Sequence, residues 1–153
     1  MRILVLSDSH GDAVSMRMAI QNSSPDVVIF LGDGMRDWEL NLPYIKCRKT
    51  AAVKGNCDLY HEYPVKTIEE LEGKRIYCTH GYMEGVKYGI EALKKCAREE
   101  NADIVLYGHT HTAYSSYDNG LYILNPGSVR ANSCGIVEIT PQGILCFTKK
   151  IVP

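Results

Sequence analysis

Residues Asp103 to His111 read DIVLYGHTH, an apolar run that ends in a glycine and two histidines one residue apart. Within it, Ile104–Tyr107 shows no alternation of apolar and polar residues. Strands covered on both faces have that composition, whereas a strand with one wet face alternates. This stretch therefore predicts a strand inside an α/β sheet, with His109 and His111 emerging just past its carboxyl end.

The same form recurs upstream. ILVLSDSH ends in Asp8 and His10, VVIFLGD in Asp33, TAAVKGN in Asn56 and RIYCTH in His80. Ile3–Leu6 and Val27–Leu31 are further continuous apolar runs. Parallel strands of such a sheet place their carboxyl ends on one edge, where ligands bind in the crevice. Each run thus delivers one or two polar side chains to a common place.

Helical patterns stand between the runs. Asp12 can cap a helix that carries Ala13, Met16 and Ile20 on one stripe. A second pattern, GVKYGIEALKKCAREEN, aligns Val86, Ile90, Leu93 and Ala97. Its lysine-rich face reads as a solvated surface, because Glu91, Glu99 and Glu100 interleave with Lys87, Lys94, Lys95 and Arg98. The C-terminal third changes character: Asp118-Asn119-Gly120 and Pro141-Gln142-Gly143 each sit between extended runs and predict hairpins. With no linker, repeat or low-complexity tract, residues 1–153 read as a single domain, an α/β sandwich with mixed sheets inside and helices outside.

Composition excludes several classes. The net charge is −1, so no basic field recruits long nucleic acid or an anionic membrane, and phosphate recognition has to be local. No apolar stretch approaches the roughly 20 residues of a membrane span, and the first apolar run stops at Asp8, too early for a signal-peptide core. The cysteines lack CxxC or regular spacing, and Cys78 and Cys146 lie in expected strands, where reduced buried thiols are ordinary. A cytoplasmic setting fits. Tyr77, Tyr107, Tyr114, Tyr117 and Tyr122 fall in or beside strands, which explains them by packing rather than base stacking.

The polar residues behind the strands match one chemistry. Asp8, Asp33, Asn56, His10, His80, His109 and His111 form a mixed oxygen and nitrogen donor set. Such a set suits Mn²⁺, Fe, Zn²⁺, Co²⁺ or Ni²⁺ better than Mg²⁺ or Ca²⁺, which take oxygen ligands. Seven donors exceed one ion, and with a bridging carboxylate they serve two ions about 3.5–4 Å apart. Any one of these motifs alone is commonly just a turn.

Together and in order, the motifs resemble those of the calcineurin-like metallophosphoesterases: Asp8-Ser9-His10, Gly32-Asp33, Gly55-Asn56-Cys57-Asp58, His80-Gly81 and Gly108-His109-Thr110-His111. Asn125-Pro126-Gly127-Ser128 is similar to a further loop of the small prokaryotic phosphodiesterase branch. The resemblance implies a four-layer α/β/β/α sandwich with two mixed central sheets. It implies one metal ion on Asp8, His10, Asp33 and His111, and a second on Asp33, Asn56, His80 and His109, with Asp33 bridging. Mn²⁺ is the expected ion, with Ni²⁺, Co²⁺, Fe or Zn²⁺ as alternatives.

The expected activity is hydrolysis of a small phosphate diester by a hydroxide bridging the two ions. A phosphomonoesterase or nucleotide phosphatase is the alternative on the same site. Where many relatives have a histidine able to protonate the leaving group, this chain has Cys57. A thiol is a poorer proton donor near neutrality, so good aryl-type leaving groups are expected to turn over best. Arg36 and Arg130 follow two of the motifs and are candidates to touch the phosphate. His61 lies outside every motif and is expected in a loop. Some relatives of the fold are protein-binding scaffolds, including a retromer subunit, which supplies a non-catalytic rival reading, although all seven donor positions here retain residues able to bind metal. A homo-oligomer is an expectation from the resemblance alone.

Overall fold

The computed structural model describes residues 1–152. Three strands, β1 (Arg2–Leu6), β2 (Val27–Phe30) and β3 (Lys49–Ala52), lie side by side in parallel. β4 (Lys66–Leu71) pairs antiparallel with β5 (Lys74–Thr79), and β6 (Ile104–Leu106) lies parallel to β5. β7 (Tyr114–Asp118) and β8 (Leu121–Asn125) form one hairpin, and β9 (Ser133–Thr140) and β10 (Gly143–Lys150) another. These ten strands make two five-stranded mixed sheets, ordered β10-β9-β1-β2-β3 and β4-β5-β6-β8-β7.

The burial pattern explains the continuous apolar runs. In β1, Ile3 and Val5 face the second sheet, while Leu4 and Leu6 face the helices. In β2, Val27 and Ile29 point inward, and Val28 and Phe30 point outward. The second sheet mirrors this arrangement, with Ile104 and Leu106 inside and Val105 outside. Helices α1 (Ala13–Ser23) and α2 (Met35–Asn41) cover the first sheet, where Trp38 stacks on Phe30 with ring centroids 5.6 Å apart. Helix α3 (Glu91–Glu99) covers the second through Leu93 and Ala97. The result is the expected four-layer sandwich.

Local signals also took effect. The Asp12 side chain accepts the Ser15 N–H at 2.9 Å and caps α1. Asn119 and Gly120 both adopt positive φ (45° and 85°), which a two-residue hairpin turn of this hand requires. One expectation needs correction. The stripe through Val86, Ile90, Leu93 and Ala97 is not one helix: a 3₁₀ turn at Val86–Tyr88 is followed by Gly89 at φ 130°, and α3 begins only at Glu91. That backbone conformation belongs to glycine and stops helix propagation. All four residues nevertheless pack in the same outer core.

Candidate metal centre

The carboxyl ends of β1, β2 and β3 meet those of β5 and β6 across the sandwich, so the site lies where two sheet edges converge. Asp8 and His10 follow β1, Asp33 follows β2, Asn56 follows β3, His80 follows β5, and His109 and His111 follow β6. The structure brings donor atoms of Asp8, His10 and His111 within 4.8 Å of one another, and does the same for Asp33, His80 and His109. Each cluster combines residues from both sheets.

Backbone conformation aims these side chains. Asp8, His10, Asp33, His109 and His111 all have φ between 43° and 69°, in the left-handed region that non-glycine residues rarely enter. Each such residue costs of order 1–3 kcal/mol, and such strain concentrates at functional sites. Close packing fixes the loops against each other. Gly55 presses on the Asp33 carboxylate and Gly108 on the Ser7 hydroxyl, so closely that a Cβ at either position would overlap its neighbour.

Each carboxylate has one oxygen tied down and one presented. Asp8 Oδ2 accepts the Ser7 hydroxyl at 2.6 Å and the His109 N–H at 3.1 Å. Its Oδ1 is buried with no hydrogen-bond partner and faces His111 Nε2 at 3.1 Å and His10 Nε2 at 3.7 Å. Asp33 Oδ1 accepts the Cys57 N–H at 2.8 Å, and its Oδ2 lies 3.3 Å from His80 Nε2 and 3.9 Å from His10 Nε2. Asn56 Oδ1 is likewise buried and unpartnered.

The histidines are oriented too. His80 Nδ1 donates to the Leu31 carbonyl at 2.7 Å, because a carbonyl only accepts, and this leaves Nε2 facing the cluster. His80 Nε2 and His109 Nδ1 are 3.2 Å apart, as are His10 Nε2 and His111 Nε2. Burial disfavours the charged form of His80, yet the Asp33 hydrogen bond and the charges of Asp8 and Asp33 outweigh it and raise the pKa. Burial lowers His109, and the neighbouring His80 adds to the effect. Burial would raise Asp33, but His80 and the Cys57 N–H hold its carboxyl far below the usual range.

The other predicted residues divide. Cys57 Sγ lies within 4.8 Å of donor atoms of His10 and Asp33. Loss of water around its sulfur, followed by the Asp33 carboxylate, pushes the thiol up to about 11. Arg36 on α2 and Arg130 in the 3₁₀ turn Val129–Ala131 are exposed, and neither side chain hydrogen-bonds or ion-pairs among the described residues. His61 sits in a loop with Nδ1 3.3 Å from Glu39 Oε1. All six cysteines are free.

Sequence reading missed Asp37 and gave no bracing role to Asn125 or Ser128. Asp37 accepts the Ser9 hydroxyl and the Gly11 N–H at 2.6 and 2.8 Å, which holds the loop after β1. Asn125 donates to the Gly108 carbonyl and to Thr110 Oγ1, and Ser128 donates to the Asp8 carbonyl. The Asn125–Ser128 loop thus supports the two histidine-bearing segments.

The family model for the calcineurin-like phosphoesterase superfamily domain matches residues 1–141. The chain belongs to that superfamily. The chain is 31% identical over 130 residues to the probable metallophosphoesterase YsnB of Bacillus subtilis, across 85% of this chain and 76% of that one. It is 29% identical over 154 residues to the phosphodiesterase YfcE of Escherichia coli, across 84% and 79% of the two. A solved predicted phosphoesterase of Streptococcus pneumoniae is 27% identical with a TM-score of 0.74, covering 97% of both chains. Zinc-complexed Vps29 of Entamoeba histolytica, 20% identical with a TM-score of 0.71 over 99% of this chain and all of that one, shows the fold alone.

Proposed function

We propose that this metallophosphoesterase is a phosphodiesterase dependent on two divalent transition-metal ions. The observation that carries the reading is the pair of buried, unpartnered oxygens, Asp8 Oδ1 and Asn56 Oδ1, within a mixed oxygen and imidazole donor set. Leaving a buried polar atom unpaired costs about 1–3 kcal/mol, and a cation removes that cost. The residues fit the ions. Asp8, His10, Asp33 and His111 would hold one, and Asp33, Asn56, His80 and His109 the other. When bound, the ions supply Lewis acidity to the phosphate oxygens and to the attacking water.

The chain's own residues do the rest. The Leu31 carbonyl fixes the His80 tautomer, and Ser7 and the Cys57 N–H fix which oxygens Asp8 and Asp33 present. Cys57, at the position where many relatives have a proton-donating histidine, lies beside the donor atoms of His10 and Asp33. Its weak acidity favours good, aryl-type leaving groups over alkyl ones. Diester hydrolysis is in keeping with the similarity to the phosphodiesterase YfcE. Mn²⁺ is the preferred ion, and Ni²⁺, Co²⁺, Fe and Zn²⁺ suit the same donors.

The test is hydrolysis of bis-p-nitrophenyl phosphate by chelator-stripped protein with and without Mn²⁺. Metal-restored turnover that Asp33→Ala abolishes supports the reading. Folded protein that is inactive with Mn²⁺, Ni²⁺, Co²⁺ and Zn²⁺ overturns it and favours a protein-binding role.

A further inference from the structure

Beside the donor cluster lies a cavity of about 250 Å³ whose walls include Asn56 and His80, the same two residues that face the candidate ions. Its remaining walls are mostly apolar: Leu59, Val65, Tyr82 and Met83. These side chains are 74%, 50%, 56% and 76% exposed, a concentration of apolar surface at the mouth of a polar site. Scattered exposed apolar residues are ordinary, but a cluster lining a concavity beside convergent polar groups marks a ligand site. The Tyr82 ring meets the His109 ring edge to face, with centroids 5.4 Å apart, and so forms the wall shared by cavity and cluster.

Several polar atoms around the cavity are engaged within the protein, and Asn56 Oδ1 is the donor kept for an ion. Thr79 Oγ1 bonds Glu84 and the Val65 carbonyl, Lys54 Nζ reaches the His61 carbonyl at 3.5 Å, and His80 Nδ1 is taken by Leu31. Asn56 Nδ2 is directed to Cys57 Sγ. A sugar or nucleobase seated there would find few protein partners for its many donors and acceptors, beyond Lys54 and the Tyr82 hydroxyl. An apolar group of ring size would have none to pair, and it would gain contact with Tyr82 and Met83.

We propose that this cavity seats an apolar, ring-sized ester arm of the substrate, so that the substrate class is phosphate esters bearing an aryl or comparably apolar group rather than nucleotides. The position of the phosphate rests on the phosphoesterase reading above. The arm's environment rests on the cavity alone.

The experiment compares phenylphosphonate with methylphosphonate, which share a head group, by titration against Mn²⁺-loaded protein for affinity and against Zn²⁺-loaded protein for NMR. Met83 is the methionine that lines the cavity, so its ¹³C-labelled methyl signal reports occupancy. The expected result is about tenfold tighter binding of the phenyl ligand, a shift of the Met83 methyl by that ligand alone, and loss of the preference in both Tyr82→Ala and Leu59→Ser. Equal affinities, or a silent Met83 methyl, overturn the proposal. So does an unchanged preference in variants whose sedimentation shows a changed oligomeric state, which would assign the apolar cluster to a protein contact. Turnover of bis-p-nitrophenyl phosphate with equal phosphonate affinities would fell the arm site and keep the hydrolase. A phenyl preference without turnover by any metal would do the reverse.

Discussion

The Asp58 carboxylate accepts the backbone N–H of Asp33 at 2.7 Å, so that one acid positions the loop carrying another. It also takes the N–H groups of Gly34, Met35 and Gly55, at 3.0, 2.9 and 2.8 Å. Asp58→Ala leaves four donors in a largely buried loop without an acceptor. The expected loss is roughly 3 kcal/mol of stability, and Asp58→Asn, which keeps one acceptor oxygen, loses about half of that. Urea denaturation of chelator-treated protein measures it with no contribution from ions. A loss below about 1 kcal/mol in the alanine variant would show that the loop holds itself.

Gly55 leaves no room for a side chain beside Asp33. Gly55→Ala should fold, since the clash is confined to the contact between the loops after β2 and β3, but it displaces the carboxylate shared by the two expected ion sites. Mn²⁺ affinity is expected to drop at least tenfold, about 1.4 kcal/mol, with the far-UV circular dichroism unchanged. Calorimetric titration reads the affinity, and a wild-type value would mean that Asp33 tolerates displacement.

Cys57 is a weak acid here, raised to about 11 in the ion-free protein. Cys57→His places a group that titrates nearer neutrality in the same loop. Positioned general acids contribute roughly 10²–10⁴-fold, and the gain is greatest for poor leaving groups. The ratio of alkyl to aryl diester turnover should therefore rise at least tenfold in Cys57→His, followed by ³¹P NMR for the alkyl ester and absorbance for the aryl one. An unchanged ratio would assign leaving-group protonation to solvent.

Two thiols outside the donor cluster predict a weakness in base. Burial pushes Cys134 up to about 11 and Cys146 up to about 12, from an ordinary value of 9.0. Each raised pKa favours the neutral thiol in the folded state. The stability it represents is intact below pH 9 and is lost as pH climbs toward 12, because the unfolded chain releases those protons first. The urea midpoint should decline across that window, and Cys146→Ala should flatten the decline. A midpoint level from pH 9 to 11 would contradict it.

The strand ends were legible because polar residues interrupt apolar runs, and chain order alone carried Asp8, Asp33, Asn56, His80 and the 109/111 pair to one region. Other features had no sequence signal. The resemblance implied two central sheets, but nothing in the residues assigned the runs to one or the other; the strand order places β1, β2 and β3 in the first and β5 and β6 in the second. α2, with the polar sequence MRDWELN, is too short for a period to emerge. Asp58 and Asn125 stood in motifs of the resemblance, but their partners, like those of Asp37, are backbone groups that any residue could supply, so nothing in the sequence paired them. Left-handed φ at five donor positions follows from tertiary constraint and overrides local preference.

The second sheet is built from one continuous stretch, β4 through β8, inserted between β3 and β9 of the first. The chain therefore passes between the two layers only twice, through residues 53–65 and 126–132. Both passages leave from the carboxyl ends of strands and both carry parts of the site, Asn56 in the first and Ser128 in the second. The crossings of the sandwich thus border its donor site. Any slippage of one layer over the other reaches the donor atoms first, and a cation held by residues of both layers would act as a clasp across the seam.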